Sequence, residues 1–319
     1  MRSRPDSGRP TPVAVGMFIT DIASIETAEE TVNVAGYLFL KWKDPRLAYD
    51  RATVGTDRRV YPLEQVWWPG LELVTAPRDR TRVSHEYRVS PDGSVFYQER
   101  FYSTVATRLN LRWFPYDKQI VTIAAESFIH DSREVVFTAD GKISGVGREA
   151  PPSEWVIGAS STRVVAKRSD PEDTSYSRFE LAVELSRRPE YYVWKLFVPL
   201  LLIIGIAYCT TWMDPTLVNP RVPVCCVSLV AAVTLNFAIS RSLPRVSYLT
   251  FMDAFITMCY LFIGLAAVES LALHALERHN KDAAATAIDL HFRWVYPAGF
   301  GLAVASLISW YFLVGAPSR

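Results

Sequence analysis

The chain has 319 residues, half of them hydrophobic, with 34 Lys and Arg against 33 Asp and Glu. That balance, with no basic tract carrying interleaved aromatics, argues against a nucleic-acid partner. Cys209, Cys225, Cys226 and Cys259 all fall in the last third, so no disulfide staples the rest, and they read as small buried hydrophobes.

From residue 11 onward, apolar and aromatic residues alternate or cluster in short runs at 13–19, 32–42, 94–101, 119–123 and 179–185. Such runs predict half-buried strands. Turn signals separate them: Pro91-Asp92-Gly93 predicts a hairpin, and Asp140-Gly141 and Asp170-Pro171 mark further reversals. Many short strands with no long amphipathic helix between them predict an antiparallel β-sandwich over residues 1–190.

Near Tyr191 the preferred solvent changes. Residues 1–190 hold 26 basic and 27 acidic side chains, whereas residues 191–319 hold 8 and 6. Four apolar stretches then predict membrane helices over about 191–213, 219–241, 248–274 and 292–314. Pro199 lies in the first, where a membrane helix tolerates it. The links at 213–219 and 242–247 are short, and that at 275–293 is longer and polar. Charge counting leaves the orientation open.

The second stretch stands apart. From Val222 to Ile239 it carries no charge, yet Pro223, Ser228, Thr234 and Asn236 interrupt it, and Arg221 and Arg241 bracket it. Polar side chains inside a membrane mark a water-filled path. Helical spacing places Pro223, Val227, Val230, Thr234, Phe237 and Arg241 along one stripe, and Pro220 and Pro223 are expected in the first turn.

Trp113-Phe114-Pro115-Tyr116-Asp117 resembles the Phe-Pro-x-Asp loop signature of the pentameric ligand-gated ion channels, the Cys-loop receptor family. Thr107 and Val121 stand where animal members carry the loop cysteines, a loss that resembles the bacterial branch. Trp67-Trp68-Pro69 resembles the family's Trp-x-Pro segment. Arg187 with Tyr191-Tyr192 is similar to the approach to the first helix, and the segment from Leu243 to Tyr248 to the link between helices two and three.

The resemblance implies an extracellular β-sandwich ligand-binding domain over 1–190, a four-helix transmembrane bundle over 191–319, and a homopentamer around a central pore. It implies a multi-pass protein of the bacterial inner membrane with the N-terminal domain outside the cytoplasm. Residues 1–10 lack the apolar core of a signal peptide, so a removed or replaced leader is expected.

The same resemblance implies that the second helix rises from Arg221 inside to Arg241 outside and lines the pore with its stripe, Asn219 lying at the inner mouth. Rings of Val227, Val230 and Phe237 then gate by dewetting, with Thr234 a wet ring between them. The acidic ring of cation-selective members is missing, because Asn219 and Pro220 occupy its positions. A Coulomb argument from Arg221 and Arg241 favours anions, whereas similarity to the bacterial branch implies monovalent cations.

Family agonists bind between neighbouring sandwiches among aromatic rings that hold a cation. By segment, the resemblance implies Glu126, Phe128 and Tyr176 on one side of such a site and Tyr37 and Tyr97 from the neighbour; Trp67 and Trp68 read better as core. A carboxylate amid aromatics suits an amine or aromatic compound. Members of the bacterial branch also respond to protons, for which Glu126, His85 and His130 are candidate groups. Coupling to the pore is implied for a turn at residues 21–26, the loop with Pro115 and Asp117, Arg187, and Pro244 and Arg245, with Asp117 and Arg187 as an ion pair.

An enzyme has little support, since the first 190 residues hold no nucleophile elbow, phosphate loop or Cys/His cluster. Neither cofactor nor metal is expected; His274, Glu277 and His279 read as interfacial polar residues. Two rivals stay open, an anion-selective channel of the same family and a non-conducting membrane-anchored binding protein.

Overall fold

A computed structural model describes residues 3–6, 8–62, 65–74, 78–147, 154–169, 174–214, 218–241 and 243–314, with side chains for all of these but 54, 78–80, 169, 218, 219, 282 and 312–314. The chain divides into two compact units: residues 1–109 with 118–186, and residues 110–117 with 187–319. The eight residues of the Phe-Pro loop thus belong with the helices, not with the strands that flank them in sequence.

The first unit is a β-sandwich. One sheet orders its strands β3 (Arg59–Tyr61), β5 (Arg78–Val89), β6 (Ser94–Ala106), β2 (Thr31–Lys43), β1 (Thr11–Glu26) and β8 (Val135–Ala139), with β9 (Gly145–Val146) also on β1. The other runs β10 (Trp155–Ser169), β11 (Thr174–Arg187), β7 (Lys118–Ser127) and β4 (Leu71–Leu73). A four-residue helix, α1 (Arg51–Val54), lies in the β2–β3 connection.

Alternation along β2 shows why it closes. Val32, Val34, Leu38, Leu40 and Trp42 are buried, and every second residue inward is the pattern of a sheet with one face in the core. The sandwich is not wholly antiparallel as expected: β8 and β9 pair parallel to β1. A long return connection allows that, and local alternation carries no information about strand direction. The segment 21–26 is a second correction, since it is the end of β1 with register shifts, and the turn follows at 27–30.

The Pro91-Asp92-Gly93 hairpin forms as its residues dictate. Asp92 Oδ1 accepts from the Ser94 N–H at 3.0 Å. Gly93 has φ 79°, and a Cβ there would lie 2.6 Å from the Asp44 carbonyl oxygen, so both conformation and space require glycine. The Asp140-Gly141 reversal is present, and the Asp170-Pro171 one lies outside the described residues.

The second unit is helical. The first span runs from Glu190 to Trp212: α2 (Glu190–Tyr192), a π-helical turn at Val193–Phe197, α3 (Val198–Cys209) and a 3₁₀ turn at Thr210–Trp212. Pro199 accounts for the π turn, because its ring lacks an N–H and crowds the carbonyl of residue 195 unless the preceding turn widens. There follow α4 (Val218–Ser240), α5 (Phe251–Arg278) and α6 (Asp282–Val314). Among the described residues, three helices are long and apolar enough to cross a membrane: 190–212, 220–240 and 251–278.

Two boundaries differ from the hydropathy pattern. Pro223 lies inside α4, beyond the first turn, since the helix begins at Val218. The helix α6 begins at Asp282, and α5 continues to Arg278. Alanines at 283, 284, 285 and 287 make the polar link helical, because propensity acts where hydropathy is silent. Thr250 and Asp253 form a capping box at the start of α5, so the lone acid near that end serves the helix terminus.

Candidate functional site

In the helical unit, the Phe-Pro loop is docked by its own side chains. Phe114 is fully buried and packs edge-on to Tyr192 at 4.6 Å, and Trp113 meets Tyr311 at 5.4 Å. The Arg112 carbonyl accepts from the Phe251 N–H at 2.9 Å, and the Tyr248 hydroxyl accepts from the Leu111 N–H at 2.8 Å. The Phe114–Pro115 peptide is cis.

Asp117 and Arg187 meet at the base of this loop. Nε of Arg187 donates to Asp117 Oδ1 at 2.8 Å, and both side chains are excluded from solvent, at 0% and 1% exposure. The Arg187 N–H also donates to the Asp117 carbonyl at 3.1 Å, and the guanidinium lies over the Phe114 ring at 4.9 Å. A charge pair held in low dielectric with added hydrogen bonds is costly to break by removing one member. Pro244 is half-buried and Arg245 exposed.

The helix α4 has two unlike faces. Arg221, Cys225, Ser228 and Ala232 are buried, a spacing of four, three and four residues that defines one helical face. Half a turn away lie Pro223, Val227, Val230, Thr234, Phe237 and Arg241, all exposed, with Val227, Val230 and Phe237 at 69%, 64% and 66%. The chain's own helices therefore leave the whole stripe uncovered. Thr234 Oγ1 donates to the Val230 carbonyl at 2.8 Å, which leaves its lone pairs turned outward as acceptors. The side chain of Asn219 lies outside the described residues.

Arg221 does not present the free charge that hydropathy implied. Its side chain has no solvent exposure, and Nη2 donates to Asp289 Oδ1 at 2.8 Å. The segment's two bracketing arginines stand on opposite faces of α4, because twenty residues separate them and the helix turns 100° per residue. Only Arg241 shares the exposed stripe.

On the sandwich, Glu126 and Arg178 face each other across β7 and β11, and Arg178 Nε donates to Glu126 Oε2 at 2.7 Å. Glu72 on β4 stands opposite Glu126 on the other side. Tyr176 is two residues before Arg178 on β11 and shares its face. Phe128 is 72% exposed beyond the end of β7. Tyr37 stacks on Phe39 at 6.1 Å.

Tyr97 corrects its expected place. It is 1% exposed, its ring packs at 4.7 Å from both Trp68 and Tyr87, and its hydroxyl donates to buried Glu99 at 2.6 Å. The side chain belongs to the sandwich core, since β6 alternates and residue 97 falls on the inward phase. Trp67 is buried against His130 at 5.4 Å, and His130 Nδ1 lies 2.8 Å from Glu134 Oε2. Burial pushes the hydroxyl groups of Tyr87 and Tyr97 above the ordinary tyrosine range, and the bond to Glu99 raises Tyr97 further.

Two partners were not legible as such. Asp289 carried one weak signal, its position four residues before Arg293 on a helix; Arg178 carried none, because its partner is 52 residues away in sequence.

Residues 1–189 match the model of the neurotransmitter-gated ion-channel ligand-binding domain. Over 299 residues the chain is 29% identical to the proton-gated ion channel of Gloeobacter violaceus, covering 94% of this chain and 83% of that protein. With sandwich, Phe-Pro-Tyr-Asp loop and apolar helices in this order, the chain belongs to the family of neurotransmitter-gated ion channels, the pentameric ligand-gated channels.

Proposed function

We propose that five copies of this chain form a cation-conducting channel of the bacterial inner membrane, each contributing the four-helix bundle of residues 191–319 below a sandwich outside the cytoplasm, with α4 lining the pore. The observation that carries the reading is the exposed stripe of α4, opposite the face that packs on its own helices. Apolar rings of Val227, Val230 and Phe237 hold the pore shut by excluding water, and Thr234 offers oxygen to a passing ion. Asn219 and Arg241 stand at its two ends.

The stimulus acts on the sandwich. A pH signal has more support than an amine, because the related channel is described as proton-gated and the Glu126 carboxylate is already held by Arg178, which leaves less of it for a cationic ligand. Glu126, Phe128, Tyr176 and Tyr37 surround the region where an amine or aromatic agonist would act instead. The signal reaches the pore through Pro115, Asp117 and Arg187 and through Pro244 and Arg245.

The test is current from purified protein in liposomes under a salt gradient, with the pH stepped on the sandwich side. A proton-evoked current reversing near the cation equilibrium potential supports the whole reading. Reversal near the anion potential leaves a channel of opposite selectivity. Silence under pH steps and under amines marks a non-conducting binding protein.

A further inference from the structure

Four charged side chains meet where α4 begins. Arg221 of α4 donates through Nη2 to Asp289 Oδ1 at 2.8 Å, and Arg293 donates through Nη2 to Asp289 Oδ2 at 2.6 Å. Glu269 of α5, 5% exposed, lies within electrostatic reach of all three. Two arginines and two acidic side chains thus share one site.

The arginines are also tethered to the end of the first span. Nε of Arg221 donates to the Thr210 carbonyl at 2.7 Å, and Nε of Arg293 to the Thr211 carbonyl at 3.0 Å. The 3₁₀ turn at 210–212 thus fixes both guanidiniums beside Asp289. Arg221 Nη1 and Glu269 Oε1 are buried without a hydrogen bond, so Asp289 is the group that holds the charge of Arg221 in check.

The face of α4 that carries Arg221 is half a turn from Pro223 and Val227. A helix is about 10 Å across, comparable with the screening length of about 8–10 Å in salt, and protein screens less than water. Five unbalanced guanidiniums at that depth would impose a positive field on the inner part of the stripe. With each balanced, that field largely vanishes.

We propose that Asp289, on α6, determines ion selectivity by neutralising Arg221 and so keeping a basic residue of the pore helix electrically silent toward the conducted ion. This rests on the pore reading above, and Asp289 is a positioning residue that acts through Arg221.

The experiment measures reversal potentials of wild type and variants in liposomes under a salt gradient. Current from the wild type establishes the pore reading; its absence overturns that reading and the inference with it. In a conducting background, Asp289→Asn should lower the cation-to-anion permeability ratio about tenfold, the low end of what clustered like charge does to local ion concentration. Asp289→Glu should keep the wild-type ratio, and Arg221→Gln with Asp289→Asn should restore it. A conducting Asp289→Asn channel with an unchanged ratio overturns the proposal. A purely structural role for Asp289 would reduce current amplitude without moving the reversal potential. Should Asp289→Asn fail to assemble, Arg221→Gln decides: an unchanged ratio supports the proposal, and a rise of about tenfold, expected of an uncompensated charge ring, overturns it.

Discussion

The helical unit is fastened at both ends by a buried arginine and aspartate, and the two pairs do different things. At the loop end, Asp117 and Arg187 share a side-chain bond, a backbone bond and a ring stacked beneath the guanidinium. At the other end Asp289 divides its two oxygens between Arg221 and Arg293. The first pair is a joint between two chain segments. The second distributes charge among three helices and leaves it only just balanced. Identical residue types at similar burial thus serve fastening in one place and electrostatic compensation in the other.

Breaking the joint should give the largest effect. Asp117→Ala strands Arg187 without its charge partner in a buried site, and a loss of about 3–5 kcal/mol in stability is expected. Thermal unfolding in detergent would register it, together with loss of the evoked current; a melt unchanged from wild type would show that the joint is not a fastener.

The sandwich core offers a buried polar contact of a third kind, in which a tyrosine hydroxyl donates to a carboxylate that also lies 3.7 Å from Arg82 Nε. Tyr97→Phe removes the hydroxyl bond to buried Glu99 and should cost about 1.5–3 kcal/mol, the range for hydrogen bonds to charged groups. The pH dependence has a definite sign. Burial holds Tyr87 and Tyr97 protonated in the folded state above the ordinary tyrosine range, while the unfolded chain releases those protons near pH 10, the ordinary tyrosine value of about 10. Their contribution is therefore fully present below that pH and lost as pH rises above it. Melts followed by circular dichroism from neutral to strongly alkaline pH should steepen in wild type and flatten in Tyr97→Phe; parallel profiles would contradict the assignment.

On the exposed face of α4, where no charge pair operates, effects should appear in gating instead. Val230→Ser and Phe237→Ser each replace an apolar ring by one that water can wet, and open probability at a given stimulus should rise about tenfold, equivalent to about 1.4 kcal/mol. Unchanged currents from both would place the gate elsewhere. The smallest effect belongs to a pair exposed on both sides: Arg51 and Asp57, 71% and 61% exposed, meet at 2.6 Å, and Arg51→Ala should change stability by under about 1 kcal/mol, a difference that chemical denaturation can bound.

Much of the molecule was legible from local pattern. Alternation placed the strands around residues 13–19, 32–42 and 94–101, hydropathy placed the apolar helices, and the Trp113–Asp117 motif with its neighbours named the family. Helical spacing also grouped Pro223, Val227, Val230, Thr234, Phe237 and Arg241 on one face, because the 3.6-residue period needs only sequence distance. What local pattern misplaced was equally systematic. The parallel pairing of β8 with β1 joins residues 11 and 135, and Tyr97 faces inward by the phase of its strand.

The sequence by itself determined which segments seek water, which seek lipid, and which stripe of α4 carries polar breaks, since these follow from composition and period. Only the tertiary structure decided what each charge meets. Arg221 looks like a free basic residue at a mouth until Asp289, 68 residues later, is folded against it. A charge acts through its surroundings, and contact between distant segments creates those surroundings, so one arginine reads as an exposed cation in the sequence and as a buried charge facing a carboxylate in the fold.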